Sequence, residues 1–157
     1  MLTHLTRSYS DDGAMTLALA LSFSESEMQY NHKLAVENFV QWATNGRFST
    51  IDRAWDMGNA THVSLAVWRR SGMGNVEAAQ AQVNSKLDHE QFSGNGSLMR
   101  IVPVGLVYWR DTGRARAVAR EHSQATHPSL ACVEACEAYT ELVCGVMNGR
   151  CFFFYYC

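Results

Sequence analysis

The chain has 157 residues, of which 47% are hydrophobic and 18% charged, with a formal net charge of −2. That length suits one domain with a real core. No basic block and no apolar run near the roughly 20 residues of a membrane span occur, so neither nucleic acid nor a membrane is an expected partner. The five cysteines, Cys132, Cys136, Cys144, Cys151 and Cys157, are odd in number and form no CxxC pair. Met1–His4 shows no signal-peptide pattern. The chain therefore reads as intracellular and cytoplasmic. Cys132 and Cys136 lie one helical turn apart and could share a metal, but buried free thiols are the reading taken here.

In chain order, Ser10-Asp11-Asp12 stands before Gly13–Phe23, a run that is apolar on nearly every side. Ser and Asp are preferred N-caps, and Ala, Met and Leu favour helix, so a buried helix is expected to begin at the carboxylate pair. The helix dipole stabilises an anion there by about 0.3–1 kcal/mol. Two carboxylates about 4 Å apart repel by about 4 kcal/mol at an effective dielectric near 20. The dipole does not offset that; a cation, a shared proton or splayed side chains would. Asp11 and Asp12 are thus either a solvated cap or a site for a hard, oxygen-seeking cation such as Mg²⁺ or Mn²⁺.

Ser24–His32 reads as a loop. Lys33–Asn45 places Leu34, Phe39, Trp42 and Ala43 near one helical face, with Gly46 as a C-cap. Thr50 is placed to cap a short helix running through Arg53 and Trp55, followed by a turn at 56–59. Thr61–Arg70 reads as a helix with Val63, Ala66 and Val67 inward, and Val76–Lys86 as a weakly patterned one. Gln91–Arg100 contains Gly94-Asn95-Gly96. Its glycines permit φ > 0 and close approach of backbone to a ligand, and its amides can form an anion-sized concavity; an ordinary tight turn is the alternative. Ile101–Trp109 has strand-like β-branched content, yet no other strand is present to pair with it, so it is assigned as helix with Pro103 in the first turn. Arg114–His122 and Leu130–Asn148 complete the helices, the last with Val133, Cys136, Tyr139, Val143, Cys144 and Met147 as a core stripe. The ending Cys151–Cys157 is wholly aromatic and cysteine, an aggregation-prone composition. The division expected is a helical domain over 1–150 and an atypical aromatic tail over 151–157.

Taken in order, Ser10–Thr16, Asn45–Ser49, Asp56–Thr61, Gly94–Arg100 with Pro103, and Ser123–Pro128 resemble the ADP-ribosylglycohydrolase family, the group that includes the dinitrogenase-reductase-activating glycohydrolases. The resemblance covers about residues 9–149. It implies an all-α fold and hydrolysis of a glycosidic bond at the terminal ribose of ADP-ribose, on a modified protein or small molecule, assisted by two divalent ions, usually Mg²⁺ or Mn²⁺. It implies metal ligation by Ser10, Asp11 and Asp12, with Asp11 and Asp12 also catalytic. It places Asp56 near the ribose, Gly94, Asn95, Gly96 and Ser97 beside the phosphates, and His127 close to the nucleotide. Arg100 reads as a structural pair rather than a substrate contact.

The chain departs from the family pattern in two ways. Only nine residues precede Ser10, where the family has a glycine-rich segment with an acidic residue, and the second metal motif, Asp-x-Asp-Thr, does not occur. The expectation is an internal portion of a longer enzyme, truncated at both ends and lacking half of the metal ligands. The competing reading is a non-catalytic helical module that binds ADP-ribose or a partner. The oligomeric state is not legible.

Overall fold

The computed structural model of the chain describes residues 10–150; the aromatic tail and the first nine residues lie outside that range. Among the described residues seven α-helices follow one another: α1 Asp11–Glu25, α2 His32–Asn45, α3 Asn59–Ser71, α4 Val76–Leu87, α5 Val102–Val107, α6 Thr112–Gln124 and α7 Leu130–Met147. No strand occurs among the described residues. The all-α expectation is borne out, including a helix at 102–107 that carries proline in its first turn.

Local chemistry explains most boundaries. Asn31, Asn75 and Asp111 each accept a side-chain hydrogen bond from the backbone N–H three residues on, at 3.0, 2.9 and 2.9 Å, which satisfies one orphan donor of α2, α4 and α6. Gly46 closes α2 in the left-handed region (φ +70°), its N–H bonded to the Trp42 carbonyl. Residues 50–55 do not form the expected helix. Asp52 there adopts φ +53°, a conformation an α-helix does not contain.

Helices α6 and α7 pair along their length; α1 packs on α2, α3 on α4, α5 on α7, and the short 3₁₀ turn Leu98–Arg100 on α1. The core they enclose includes Met15, Leu19, Phe23, Phe39, Trp42, Trp68, Leu87 and Ile101, each at most 1% exposed. Three inward faces differ from expectation. On α1, Leu17 is 47% exposed, so that helix is buried on one side only. On α3 the buried residues are Ala60, Thr61, Ser64, Leu65, Val67 and Trp68, with Val63 and Ala66 half-buried. On α7, Tyr139 and Met147 face outward, and Glu137 and Thr140 are buried in their place. Glu137 is held there by Arg116 at 3.1 Å and Arg120 at 2.5 Å, both from α6. An ion pair that joins two helices overrides apolar periodicity.

Candidate functional site

One cleft of about 370 Å³ collects residues from four separate stretches: Asp11 and Asp12 at the start of α1, Asp56–Thr61 entering α3, the Gln91–Met99 loop, and His127 between α6 and α7. It has two chemically distinct sides.

The acidic side begins at Ser10, which caps α1 in an extended backbone conformation without a side-chain cap bond. Its hydroxyl instead donates to Asp12 Oδ2 at 2.6 Å, while Asp11 Oδ1 accepts from the Asp12 N–H at 3.1 Å. These local bonds, rather than a side-chain cap, orient the two carboxylates. Asp11 is buried, whereas Asp12 is exposed. Burial, then the negative charges of Asp12 and Asp56, push the Asp11 carboxyl above its ordinary range, against the pull of the Asp12 N–H and the Ser10 hydroxyl. Asp56 reaches the cleft from a loop backbone at φ +60°. It does not cap α3, whose N-cap is Gly58. Asp tolerates the left-handed region better than most residues, and such a conformation at a cleft is stored strain.

The other side is built on the glycine loop. Neither Gly94 nor Gly96 has a positive φ, so their conformational freedom is not what the fold uses. Close approach is. A Cβ at Gly96 would stand 2.6 Å from His127 Cε1 and 3.0 Å from both His127 Nε2 and Thr61 Oγ1. A Cβ at Gly94 would meet His127 Nε2 at 3.7 Å, an ordinary contact. Two thiols from α7 tie the loop down: Cys132 Sγ donates to the Gly94 carbonyl at 3.3 Å and Cys136 Sγ to Ser97 Oγ at 3.4 Å. They are free, buried cysteines, as the residues alone suggest. Ser97 itself is fully buried, with Ser123 Oγ 2.9 Å away. It supports the loop from beneath and does not line the cleft.

His127 is 3% exposed, and burial together with the Arg100 charge lowers its pKa to about 3. The imidazole is therefore neutral. Arg100 is fully buried and structural, as read from the sequence. Its Nε donates to His122 Nε2 at 3.0 Å and its Nη2 to Thr126 Oγ1 at 2.6 Å, and its guanidinium lies 4.4 Å from the Phe39 ring centre.

The structure thus brings Asp11, Asp12, Asp56, Gly94, Asn95, Gly96 and His127 to one cleft, and leaves Ser10 beside it and Ser97 beneath it. Among the described residues, no three His, Cys, Asp or Glu side chains converge as a ready-made metal cage. The three carboxylates that share the acidic side, Asp11, Asp12 and Asp56, offer oxygen donors, and the repulsion felt by Asp11 marks a deficit of positive charge there. This chemistry fits a hard cation that keeps waters and takes one or two carboxylates.

The family model described as ADP-ribosylglycohydrolase matches residues 2–151. The chain belongs to the ADP-ribosylglycohydrolase family. It is 26% identical over 144 residues to an ADP-ribosylarginine hydrolase Tri1 of Pseudomonas putida (strain GB-1), covering 90% of this chain and 35% of the relative. The figures for an ADP-ribosylarginine hydrolase Tri1 of Serratia proteamaculans (strain 568) are 26%, 144 residues, 90% and 36%. The chain spans about a third of the length of these relatives.

Sequence reasoning left several wall residues of this ADP-ribosylglycohydrolase cleft without a role: Gly58, Asn59, Thr61, Gln91, Phe92 and Met99. All lie inside or beside the quoted stretches. Thr61 was legible in principle, since a buried hydroxyl at the start of a helix faces whatever the helix N-terminus faces.

Proposed function

We propose that this chain carries part of an ADP-ribosyl hydrolase site and takes the terminal ribose and pyrophosphate of ADP-ribose across the cleft. The observation that carries the reading is the juxtaposition of three carboxylates with a tight glycine–histidine wall in one cavity. Ionised carboxylates only accept hydrogen bonds, so Asp11, Asp12 and Asp56 suit the hydroxyls of a ribose and an attacking water. The glycine loop lets backbone approach an anion closely, which suits phosphates at Gly94, Asn95 and Gly96. Asp11 and Asp12, with Ser10 orienting Asp12, would hold a divalent ion such as Mg²⁺ or Mn²⁺. When bound, that ion supplies positive charge that orients substrate oxygens and favours water as a nucleophile. In the reaction, water adds to the anomeric carbon, the glycosidic bond breaks, and a proton passes to the leaving group. The relatives' names point to ADP-ribosylated arginine as the substrate class to try first.

Binding without turnover is the second reading. It is favoured by one observation: among the described residues three carboxylates line the cleft, and these 157 residues hold no Asp-x-Asp-Thr motif. A two-ion clamp needs more. Calorimetric titration with ADP-ribose in Mg²⁺ tests what both readings share, and its absence would refute both. Incubation with arginine-ADP-ribosylated protein then separates them: release of ADP-ribose supports hydrolysis, and saturable binding with no release supports the module.

A further inference from the structure

Behind the glycine–histidine wall, one cation faces two imidazoles through different atoms. Arg100 is fully buried, and its guanidinium can only donate. Its Nη2 therefore makes Thr126 Oγ1 an acceptor, at 2.6 Å. The Thr126 hydroxyl has a single proton, Thr126 is fully buried, and the remaining partner within reach is His127 Nδ1 at 2.8 Å. If Nδ1 carried a proton, the hydroxyl proton would be left without an acceptor in a dry site, and the N–H would point toward the guanidinium. Both are unfavourable. The other ring nitrogen, Nε2, lies on the glycine-loop side, 3.0 and 3.7 Å from the positions of a Cβ on Gly96 and Gly94.

We propose that Arg100, acting through Thr126, is a positioning residue that fixes His127 as its Nε2–H tautomer, so that the cleft wall presents a neutral hydrogen-bond donor to an acceptor oxygen of the ligand. The same logic gives the neighbouring histidine the opposite proton. His122 Nε2 accepts from Arg100 Nε at 3.0 Å, so its proton sits on Nδ1, a buried atom without a hydrogen-bond partner. His127 is held neutral by burial and by that same cation, which keeps the donor single and directional rather than charged. The assignment concerns the ligand-free protein and stands whether or not ADP-ribose is the ligand.

Long-range ¹H–¹⁵N correlation spectra of the ¹⁵N-histidine-labelled chain at neutral pH test it directly. The expected result is a protonated Nε2 and bare Nδ1 for His127, and the reverse for His122. Thr126→Ser keeps the hydroxyl and should keep the pattern. Thr126→Val removes it and should give a mixture of tautomers at His127 while leaving His122 unchanged. A protonated Nδ1 at His127 in the parent chain overturns the proposal, as does a Thr126→Val spectrum identical to the parent's. If Thr126→Val does not fold, the parent and Thr126→Ser spectra decide.

Discussion

The two sides of the cleft are organised by different means. On the glycine–histidine side the groups behind the wall are tied to fixed partners: Thr126 to Arg100, His127 Nδ1 to Thr126, and the Gly94 carbonyl to a thiol. On the acidic side, Asp11, Asp12 and Asp56 share a cavity in mutual repulsion. The first side is preorganised by the fold. The second carries negative charge that its described neighbours do not balance, the feature on which the proposed cation site rests. A site arranged this way spends its rigidity on shape and leaves its charge open for a ligand or ion.

The largest way to break the comparison is to remove the cation that orders the first side. Arg100→Ala leaves a cavity and strips His122 and Thr126 of their donor, and should cost about 3–5 kcal/mol in urea unfolding. A loss within experimental error would mean that the network is not what holds this wall. Gly96→Val should be next. With a Cβ position 2.6 Å from His127 Cε1, overpacking should cost about 1–3 kcal/mol and abolish ADP-ribose binding. Undiminished affinity in that variant would exclude the loop from the site.

Acid sharpens the contrast further. Burial and Arg100 depress the pKa of His122 and His127. Each therefore contributes stability that is present above the unfolded value near 6.5 and lost as pH falls toward the folded value. Below pH 6.5 the unfolded chain binds protons that the folded chain refuses, costing about 1.4 kcal/mol per pH unit for each group. Unfolding free energies between pH 7 and pH 5 should show this slope, and His127→Gln should reduce it by about one proton. An unaltered slope in that variant would place the lost proton elsewhere.

How far the sequence foretold these two sides depends on the scale of the interaction. Helix extents were legible to within about two residues, because apolar spacing and a glycine stop such as Gly46 act locally; the caps Asn31, Asn75 and Asp111 act just as locally, but the apolar pattern did not single them out. The cleft residues Asp11, Asp56, Gly96 and His127 were legible as ordered motifs. The inward face of α7 was not, because Glu137 owes its burial to two arginines of another helix. Nor was the reason for glycine at position 96, which is a side chain from more than thirty residues away. Ser97 looked like a ligand contact because local pattern does not reveal which side of a loop faces solvent.

The smallest stability effect is expected at Asp12, which is exposed. Asp12→Asn should change stability by no more than about 0.5 kcal/mol, yet it should weaken any cation held beside Ser10 and Asp11. That divergence between stability and binding is what the open side of the cleft implies.

The proposed divalent cation on the acidic side is tested by adding substoichiometric Mn²⁺ to the ¹⁵N-labelled chain and recording paramagnetic line broadening. Selective broadening of the amides of Asp11, Asp12 and the 56–61 segment is expected, and it should be lost in Asp11→Asn. Broadening centred elsewhere, or equal broadening in both proteins, would contradict it.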